Sequence, residues 1–300
     1  MPEEAGKDTV TGSDRSTQKP IRAGRSPAPF LKWAGGKNAL LEQYQPFFPE
    51  RAKTYYEPFV GGGAVFFHLR SRDFADRYCL SDINEELINV YRVVRDRVDD
   101  LITLLKRHQQ EHNREYYYRI RAMDRQPGWP ERDPVERAAR MIYLNKTGYN
   151  GLWRVNSRGH FNVPMGRYRN PAILDEPRLR AASDALAGVE IAVKDFRAIA
   201  GEAGADDFVY FDPPYVPLSA TSDFTGYHAN GFGSEEQRAL AEVYRRLSAK
   251  GCRVMLSNSD TPFVRELYAG FRIETVQARR AINSKASRRG LISEVVVLNY

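Results

Sequence analysis

The tetrapeptide Asp212-Pro213-Pro214-Tyr215 offers the most specific chemistry in the sequence. It follows the apolar run 208–211, which predicts a buried strand, and ligands bind at the carboxyl ends of strands in open α/β sheets. Consecutive prolines fix the backbone and remove two N–H donors. The Asp212 carboxylate and the Pro213 carbonyl then form a pair of acceptors, one for each hydrogen of an exocyclic amine.

Two such acceptors answer the chemical problem of the adenine N6 amine, whose lone pair is delocalised into the ring. Holding both hydrogens favours a tetrahedral nitrogen with its lone pair aimed at a methyl group, so catalysis would rest on alignment and electrostatics. Orientation by Asp212 ranks above general-base action, because the product cation can lose its proton to water. Tyr215 would stack on the base, which must leave a duplex to be modified. The alternative is a strand-ending turn with a solvent-facing Asp212.

A second candidate site is the glycine turn at residues 61–63, between a predicted strand and a predicted helix. Gly61 and Gly63 allow a ligand to approach the backbone at a helix start. Asp82 ends the next predicted strand, where an acidic side chain would bind ribose hydroxyls. NAD and an adenosyl group both fit. The turn lacks a strict G-x-G-x-x-G and a phosphate-binding lysine motif, so a methyl donor is favoured over a dinucleotide or triphosphate.

Aromatic and basic residues flank this turn. Phe59 precedes the glycines, and packing in the core is favoured for it over contact with a cofactor. Trp33 and Lys37 form a separate element between glycines near the start. On these residues alone, a structural turn pinned by a buried Trp33 is the preferred interpretation.

Residues 149–163 predict a hairpin with its tip at 157–159. Arginine can contact guanine, and asparagine can contact adenine, with two hydrogen bonds in the major groove. The candidates for such contacts are Asn150, Arg154, Asn156 and Arg167. The stretch 106–180 holds 16 Lys and Arg against 8 Asp and Glu, which suits a phosphate backbone, although a solvated helical surface remains open. A second basic patch comprises Arg279, Arg280, Lys285, Arg288 and Arg289.

Strands and helices alternate along the chain, which predicts a parallel α/β sheet. Strands are predicted at 54–56, 77–81, 189–193, 208–211, 253–257, 271–276 and 294–298, the last two as a hairpin. Helices are predicted at 38–47, from 64, at 84–98 and at 234–250. Further helices at 99–145 interrupt the sheet, which indicates an inserted subdomain. Residues 1–26 predict a disordered tail, and 218–232 a mobile flap over substrate.

Composition limits the alternatives. A chain of 300 residues suits one catalytic domain with an insertion. Two cysteines and five histidines make a disulfide framework and a structural zinc site implausible, so no metal is expected. The sequence predicts neither a membrane span nor a secretory signal. We therefore expect a cytoplasmic protein, a monomer without an obligatory protein partner.

The motifs at 30–37, 57–67 and 212–215, with the insertion between them, resemble those of the alpha-group adenine-N6 DNA methyltransferases. A narrower resemblance, to the Dam-type methylases that modify adenine in GATC, is carried by residues 149–152, 161–164, 166–168, 217–221 and 224–225. It spans about residues 27–300. It implies a Rossmann-like S-adenosylmethionine-dependent methyltransferase fold with an inserted helical target-recognition subdomain. The implied division is a tail (1–26), a catalytic domain (27–99 and 182–300) and a recognition insertion (100–181).

The resemblance also implies roles for single residues. Trp33, Lys37, Asp82 and Asp212 match positions that line the methyl-donor site, which reverses the structural interpretation of the first two. The positions that match residues contacting double-stranded DNA are Lys32, Tyr149, Asn150, Leu152, Arg154, Pro164, Arg167 and Tyr168. Trp153 and the pair Lys146-Thr147 depart from the family pattern. The rival functions are an RNA or protein methyltransferase and a non-catalytic DNA-binding protein.

Overall fold

The computed structural model describes residues 26–217, 232–279 and 291–300. Three predictions fall wholly or almost wholly on other residues: the tail, the flap over substrate and the second basic patch. They lie outside the described residues.

A mixed sheet forms the centre of the fold. Its described strands are β1 (Ala52–Glu57), β2 (Ala75–Asp82), β3 (Glu190–Val193), β4 (Phe208–Phe211), β5 (Arg253–Ser259), β6 (Arg272–Arg279) and β7 (Leu291–Leu298). Their order in the sheet is β3-β2-β1-β4-β5-β7-β6. The first five are parallel to one another, whereas β7 is antiparallel to both of its neighbours. The predicted hairpin of β6 and β7 is therefore confirmed.

The central strand β4 shows why both faces of the sheet are covered. All four of its residues are buried. Phe208 and Tyr210 belong to one hydrophobic core, whereas Val209 and Phe211 belong to a second. Because successive side chains of a strand point to opposite faces, the two cores lie on opposite sides of the sheet. The continuous apolar run of β4 thus identifies an interior strand.

Helices cover the two faces. Those described are α1 (Leu41–Tyr44), α2 (Ala64–Arg70), α3 (Glu85–Asp96), α4 (Val98–Glu111), α5 (Arg114–Arg121), α6 (Pro134–Thr147), α7 (Glu176–Leu186), α8 (Ile199–Glu202), α9 (Ser234–Ala249) and α10 (Pro262–Leu267). Buried residues of α2 to α7 share the first core, and those of α8 to α10 share the second. The predicted Rossmann-like α/β fold is confirmed, with helices between β2 and β3. The predicted domain boundary at 181/182 falls within α7, and the domain division itself stays a prediction.

Two helix predictions were wrong in their bounds. The helix predicted at 38–47 is instead α1 flanked by single 3-10 turns, Lys37–Ala39 and Gln45–Phe47. Pro46 lacks the N–H that a continuing α-helix needs, which explains the second of these interruptions. The helix predicted at 84–98 ends at Asp96, because Arg97 leaves helical geometry with φ −138° and ψ 41° before α4 begins.

The segment after α6 is held against the helices by polar contacts. A 3-10 turn, Tyr149–Gly151, is followed by a short hairpin closed by a bridge between Val155 and Phe161. The Phe161 amide donates to Asp124 Oδ2 at 2.7 Å. The Tyr117 hydroxyl, on α5, donates to the Val163 carbonyl at 3.0 Å. The hairpin is thus docked on α5 and the turn that follows it.

Candidate active site

The two motifs meet at the centre of the sheet. β1 and β4 are neighbours, and the chain leads outward from them in opposite directions, to β2 and β3 on one side and to β5 on the other. Such a reversal of strand order opens a crevice at the carboxyl ends of the strands. Residues 61–63 lie just beyond the end of β1, and Asp212 lies directly after β4.

Asp212 is held by two partners. Its Oδ1 atom lies 2.8 Å from Lys37 Nζ and accepts a hydrogen bond of 2.9 Å from the Ser257 hydroxyl. Ser257, on β5, also contacts the hydroxyl of buried Tyr210 at 2.9 Å. The carboxylate is therefore oriented from both sides, by the N-terminal segment and by the neighbouring strand.

The backbone after Asp212 is fixed by buried amide side chains. Gln237 Nε2 donates to the Pro214 carbonyl at 2.8 Å, and the Val216 amide donates to Asn258 Oδ1 at 3.1 Å. Asn258 Nδ2 in turn donates to Gln237 Oε1 at 3.1 Å. Both amides are almost wholly buried. Sequence reasoning missed them, since only the packing of α9 and β5 brings them to this turn.

Tyr215 is fixed at its hydroxyl, which donates to Glu294 Oε2 on β7 at 2.9 Å. Lys37 Nζ lies 4.7 Å from the centroid of the Tyr215 ring. Burial raises the pKa of Glu294. Glu294 was not predicted as a site residue, and no local motif marks it.

A third carboxyl group lies at the end of β1. Glu57 is 3% exposed and accepts a hydrogen bond of 2.7 Å from the Tyr55 hydroxyl. Burial raises the pKa of Glu57 to about 8, and the charge of Asp212 adds to this effect, while that of Lys37 opposes it. Lys37 thus supplies positive charge to a cluster of acidic side chains.

The glycine turn has a backbone conformation that residues with a side chain rarely adopt. Gly61 and Gly63 have φ of 45° and 68°, in the left-handed region. A Cβ atom on Gly61 would lie 2.7 Å from Cδ1 of Trp33, and one on Gly63 would lie 2.6 Å from the Tyr91 hydroxyl. That hydroxyl donates to the Gly61 carbonyl at 3.0 Å. Trp33, predicted in a separate element, therefore packs directly on this turn.

Asp82 lies at the carboxyl end of β2 and faces the same turn. Its Oδ2 accepts from the Gly61 amide at 3.4 Å, and its Oδ1 accepts from the Asn84 amide at 3.0 Å. Burial raises the pKa of Asp82 to about 6. Ile83 is 73% exposed, and Val193, paired with Asp82 in the sheet, is 39% exposed. Neither of these apolar side chains was predicted as a site residue. Ile83 directly follows the acidic end of its strand, and this position is a usable signal in the sequence.

Phe59 is half-buried among aromatic side chains. Its ring stacks on Phe196 with centroids 5.4 Å apart and meets Phe232 edge-on at 5.6 Å. Its packing against the second core agrees with the interpretation from residues alone. Its role toward a cofactor stays a prediction.

The predicted DNA-contacting residues lie mostly on the surface. Those exposed are Lys32, Tyr149, Asn150, Arg154, Asn156, Pro164, Arg167 and Tyr168, while Leu152 is half-buried. Lys32 Nζ lies 4.8 Å from the centroid of the Tyr168 ring. Arg154 Nε donates to Asn162 Oδ1 at 2.7 Å.

Asn156 has a second task in the hairpin. Its Oδ1 atom accepts from the amides of Arg158 and His160, both at 3.0 Å, and so holds the turn. The base contact predicted for Asn156 stays a prediction.

In ranges 26–217, 232–279 and 291–300, no group of three or more His, Cys, Asp or Glu side chains is placed to hold a metal ion. No helix in the same ranges is long and apolar enough to cross a membrane.

Comparison with known proteins finds methyltransferases that match most of the chain. The chain is 45% identical over 274 residues to the Type II methyltransferase M1.LlaDCHI of Lactococcus lactis subsp. cremoris, covering 91% of this chain and 95% of that protein. It is 44% identical over 286 residues to the Type II methyltransferase M.MjaIII of Methanocaldococcus jannaschii, covering 91% and 99%. It is 38% identical over 271 residues to the DNA adenine methylase of Escherichia coli K12, covering 90% and 94%.

The family model for the D12 class N6 adenine-specific DNA methyltransferases matches residues 33–282. That range includes the glycine turn, the helices after β2 and the tetrapeptide at 212–215. The resemblance drawn from the motifs is thereby confirmed, and the chain belongs to the D12 class of N6 adenine-specific DNA methyltransferases, enzymes that act on DNA.

Proposed function

We propose that this enzyme transfers a methyl group from S-adenosylmethionine to N6 of adenine in duplex GATC, with the target base flipped into a pocket beside Tyr215. One observation carries the proposal. Two candidate sites, one for a donor and one for an amine, lie at the carboxyl ends of the neighbouring strands β1 and β4. One segment contacts both sites: its Lys37 contacts Asp212 in the amine site, and its Trp33 packs on the glycine turn of the donor site.

The residues beyond β1 and β2 fit an adenosyl donor. The glycine turn carries no side chains, so Trp33 packs directly on its backbone and would border a donor bound beside the turn. Asp82 is suited to ribose hydroxyls, while exposed Ile83 and Val193 supply apolar surface for a purine ring. Trp33, Lys37 and Phe59 complete the proposed donor site. When bound there, S-adenosylmethionine supplies an electrophilic methyl group on a sulfonium.

The residues beyond β4 are proposed to orient the amine. The Asp212 carboxylate and the Pro213 carbonyl each accept one N6 hydrogen, which turns the nitrogen lone pair toward the methyl group. Ser257 and Lys37 hold Asp212 in place before the base arrives, so little reorganisation is needed. As the bond between N6 and the methyl carbon forms, the bond between that carbon and the sulfonium breaks and S-adenosylhomocysteine is the leaving group. The positive charge passes to N6, which then loses a proton to water or to Asp212. Tyr215 stacks on the base.

Residues 100–181 are proposed to recognise the target. Exposed Tyr149 is proposed to enter the duplex, and Asn150, Leu152 and Arg154 are proposed to contact bases beside it. The resemblance to Dam-type methylases in this stretch supports GATC. We further propose that the enzyme acts as a monomer.

The proposal can be tested in a host that lacks adenine methylation. Plasmid from cells expressing the chain is digested with one nuclease blocked by methylated GATC and another that requires it, and host DNA is mapped by single-molecule sequencing. We expect protection confined to GATC. Methyladenine in another sequence would overturn the GATC assignment. If no methyladenine were found in any sequence, the proposed methyl transfer itself would be overturned.

Asp212→Ala serves as the inactive control. We expect it to abolish methylation but to bind duplex DNA and to unfold cooperatively, as the wild type does. Loss of the folded state would instead make Asp212 a structural residue.

A further inference from the structure

The side chain of Asn145 connects two segments that the proposed function assigns to different tasks. Asn145 lies near the end of α6 and is wholly buried. Its Oδ1 accepts from the Lys32 amide at 2.8 Å, and its Nδ2 donates to the Lys32 carbonyl at 2.7 Å. The same Nδ2 donates to the Gly151 carbonyl at 2.9 Å. A single carboxamide therefore satisfies three backbone groups from two distant parts of the chain.

Steric contacts reinforce this link on the side of the recognition turn, which we define as residues 149–152. Asn150 and Gly151 both have φ in the left-handed region, 56° and 66°. A Cβ atom on Gly151 would lie 2.6 Å from Lys32 Cδ and 2.9 Å from Lys32 Cβ. The recognition turn is thus packed directly on Lys32, and its shape depends on that contact.

On the other side, Lys32 leads directly into the proposed donor site. The next residue, Trp33, packs against Gly61 and Gly62, whose added Cβ atoms would lie 2.7 Å and 3.3 Å from its side chain. Contacts therefore run without interruption from the recognition turn through Asn145 and Lys32 to Trp33 and the glycine turn.

From this continuity we infer that Asn145 is a positioning residue that couples DNA recognition to methyl-donor binding. This inference rests on the proposed function of the two segments. A duplex seated on the recognition turn fixes Gly151, and the carboxamide of Asn145 passes that constraint to the main chain of Lys32 and so to Trp33. By linkage, cognate DNA and the donor must then strengthen each other's binding by the same factor.

The experiment measures this factor directly. The Kd of sinefungin, an unreactive analogue of the donor, is determined by calorimetry with and without a saturating GATC duplex. For the wild type we expect the duplex to lower the Kd at least about fivefold, the lower end of typical coupling between sites. A duplex in which GATC is scrambled should lower it less.

Asn145→Asp is the test variant, because it keeps the shape and the acceptor but replaces both N–H donors with an oxygen facing two carbonyls. We expect the ratio of the two Kd values to fall to within about twofold of one, while the Kd without DNA changes less than about threefold. Asn145→Ser places no charge in the interior, but its hydroxyl lies one atom short of the carboxamide oxygen and nitrogen, so it should lose most of the coupling as well.

Thr147→Val is the matched control. Thr147 is almost equally buried on the same helix, and its hydroxyl donates a hydrogen bond of 2.6 Å to the Tyr143 carbonyl, within the helix itself. It should lose stability and keep full coupling. If Asn145 had only a structural role, Asn145→Asp and Thr147→Val would show the same coupling between duplex and sinefungin, and that result would overturn the inference.

The remaining outcomes are also decisive. Absence of coupling in the wild type overturns the inference, as does failure of both Asn145 variants to fold, which would make Asn145 a folding residue. If the wild type bound neither sinefungin nor the duplex, the proposed function itself would fail, and methylation mapping would show this independently.

Discussion

Lys37 Nζ lies 2.8 Å from Oδ1 of Asp212, and the side chain of Lys37 is almost wholly buried. The two residues lie 175 positions apart in the sequence. The ammonium group also lies against the ring of Tyr215, and its charge lowers the pKa of Glu57 and of Glu294, against the larger effect of burial. Lys37 is therefore the cation around which the acidic side chains of the site are arranged.

Replacing Lys37 with Met should destabilise the protein, because it leaves Asp212 partly buried without its cation. Removal of one partner of a buried ion pair typically costs about 3 kcal/mol or more. The double variant Lys37→Met/Asp212→Asn should recover part of this loss, since its second change removes the unpaired charge. Urea unfolding of the wild type, both single variants and the double variant measures the coupling. Strict additivity of the free energies of unfolding would show that the pair does not interact.

The ring and the hydroxyl of Tyr215 can be separated by two substitutions. Tyr215→Phe loses only the hydrogen bond to Glu294, so we expect a loss of about 1 kcal/mol in stability and most of the transfer rate retained. Tyr215→Ala also removes the stacking surface, worth about 1–3 kcal/mol for a base on an aromatic ring. Single-turnover rates and the fluorescence of 2-aminopurine at the target position distinguish the two. Equal losses in both variants would mean that the hydroxyl, not the ring, acts on the base.

Arg154 and Arg158 form a matched pair on the short hairpin closed by the bridge between Val155 and Phe161, and both are exposed. Arg154→Ala should cost about 1–3 kcal/mol of discrimination at one base pair, whereas Arg158→Ala should weaken all duplexes alike and reduce the salt slope by about 1. Binding to a set of duplexes with single base-pair changes in GATC, at several salt concentrations, measures both effects. If Arg154→Ala weakens every duplex equally, its partner is a phosphate.

Stability should fall as pH rises through the range in which Glu57 titrates. Burial raises the pKa of Glu57 from 4.5 to about 8, so between these values the folded protein holds a proton that the unfolded chain has released. The stabilisation is complete below the lower value and is lost toward the upper one, by an amount on the order of a few kcal/mol. Asp82 and Glu294 shift in the same direction and add to the slope.

Glu57→Gln stays neutral at every pH, so its stability should depend less on pH between 5 and 8. Urea unfolding at pH 5, 6.5 and 8 checks this, with exposed Glu50→Gln as the control that should follow the wild type. Parallel pH dependence in Glu57→Gln and the wild type would show that Glu57 is ionised in the folded protein.

The parts of the site that sequence predicted are those encoded locally. A strand followed by two prolines, and glycines between a strand and a helix, place Asp212 and Gly61 without knowledge of the rest of the fold. Ser257, Gln237, Asn258 and Glu294 escaped prediction because their contacts depend on the order of strands in the sheet. That order arises from tertiary packing. No spacing along the chain marks which strand will lie beside β4.

The segment around Trp33 is a second case in which tertiary packing decides what the local sequence does not. From the residues alone a structural turn was preferred, and only the family resemblance pointed to the donor site. In the fold Trp33 packs on Gly61, so it both supports the turn and borders the proposed site. Sequence reasoning treated these as alternatives, although one side chain satisfies both.

The position of β7 has a consequence for how the enzyme is made. It is the last of the described strands in chain order, yet it lies inside the sheet, between β5 and β6, and it carries Glu294, the partner of Tyr215. A nascent chain that ends before residue 291 therefore lacks β7, so neither its sheet nor the pocket around Tyr215 is complete. Such long-range strand pairing forms late, after the chain that it joins is available. The enzyme should thus gain its activity only after the segment that forms β7 has been made, and a nascent chain that stalls before residue 291 should leave DNA unmarked.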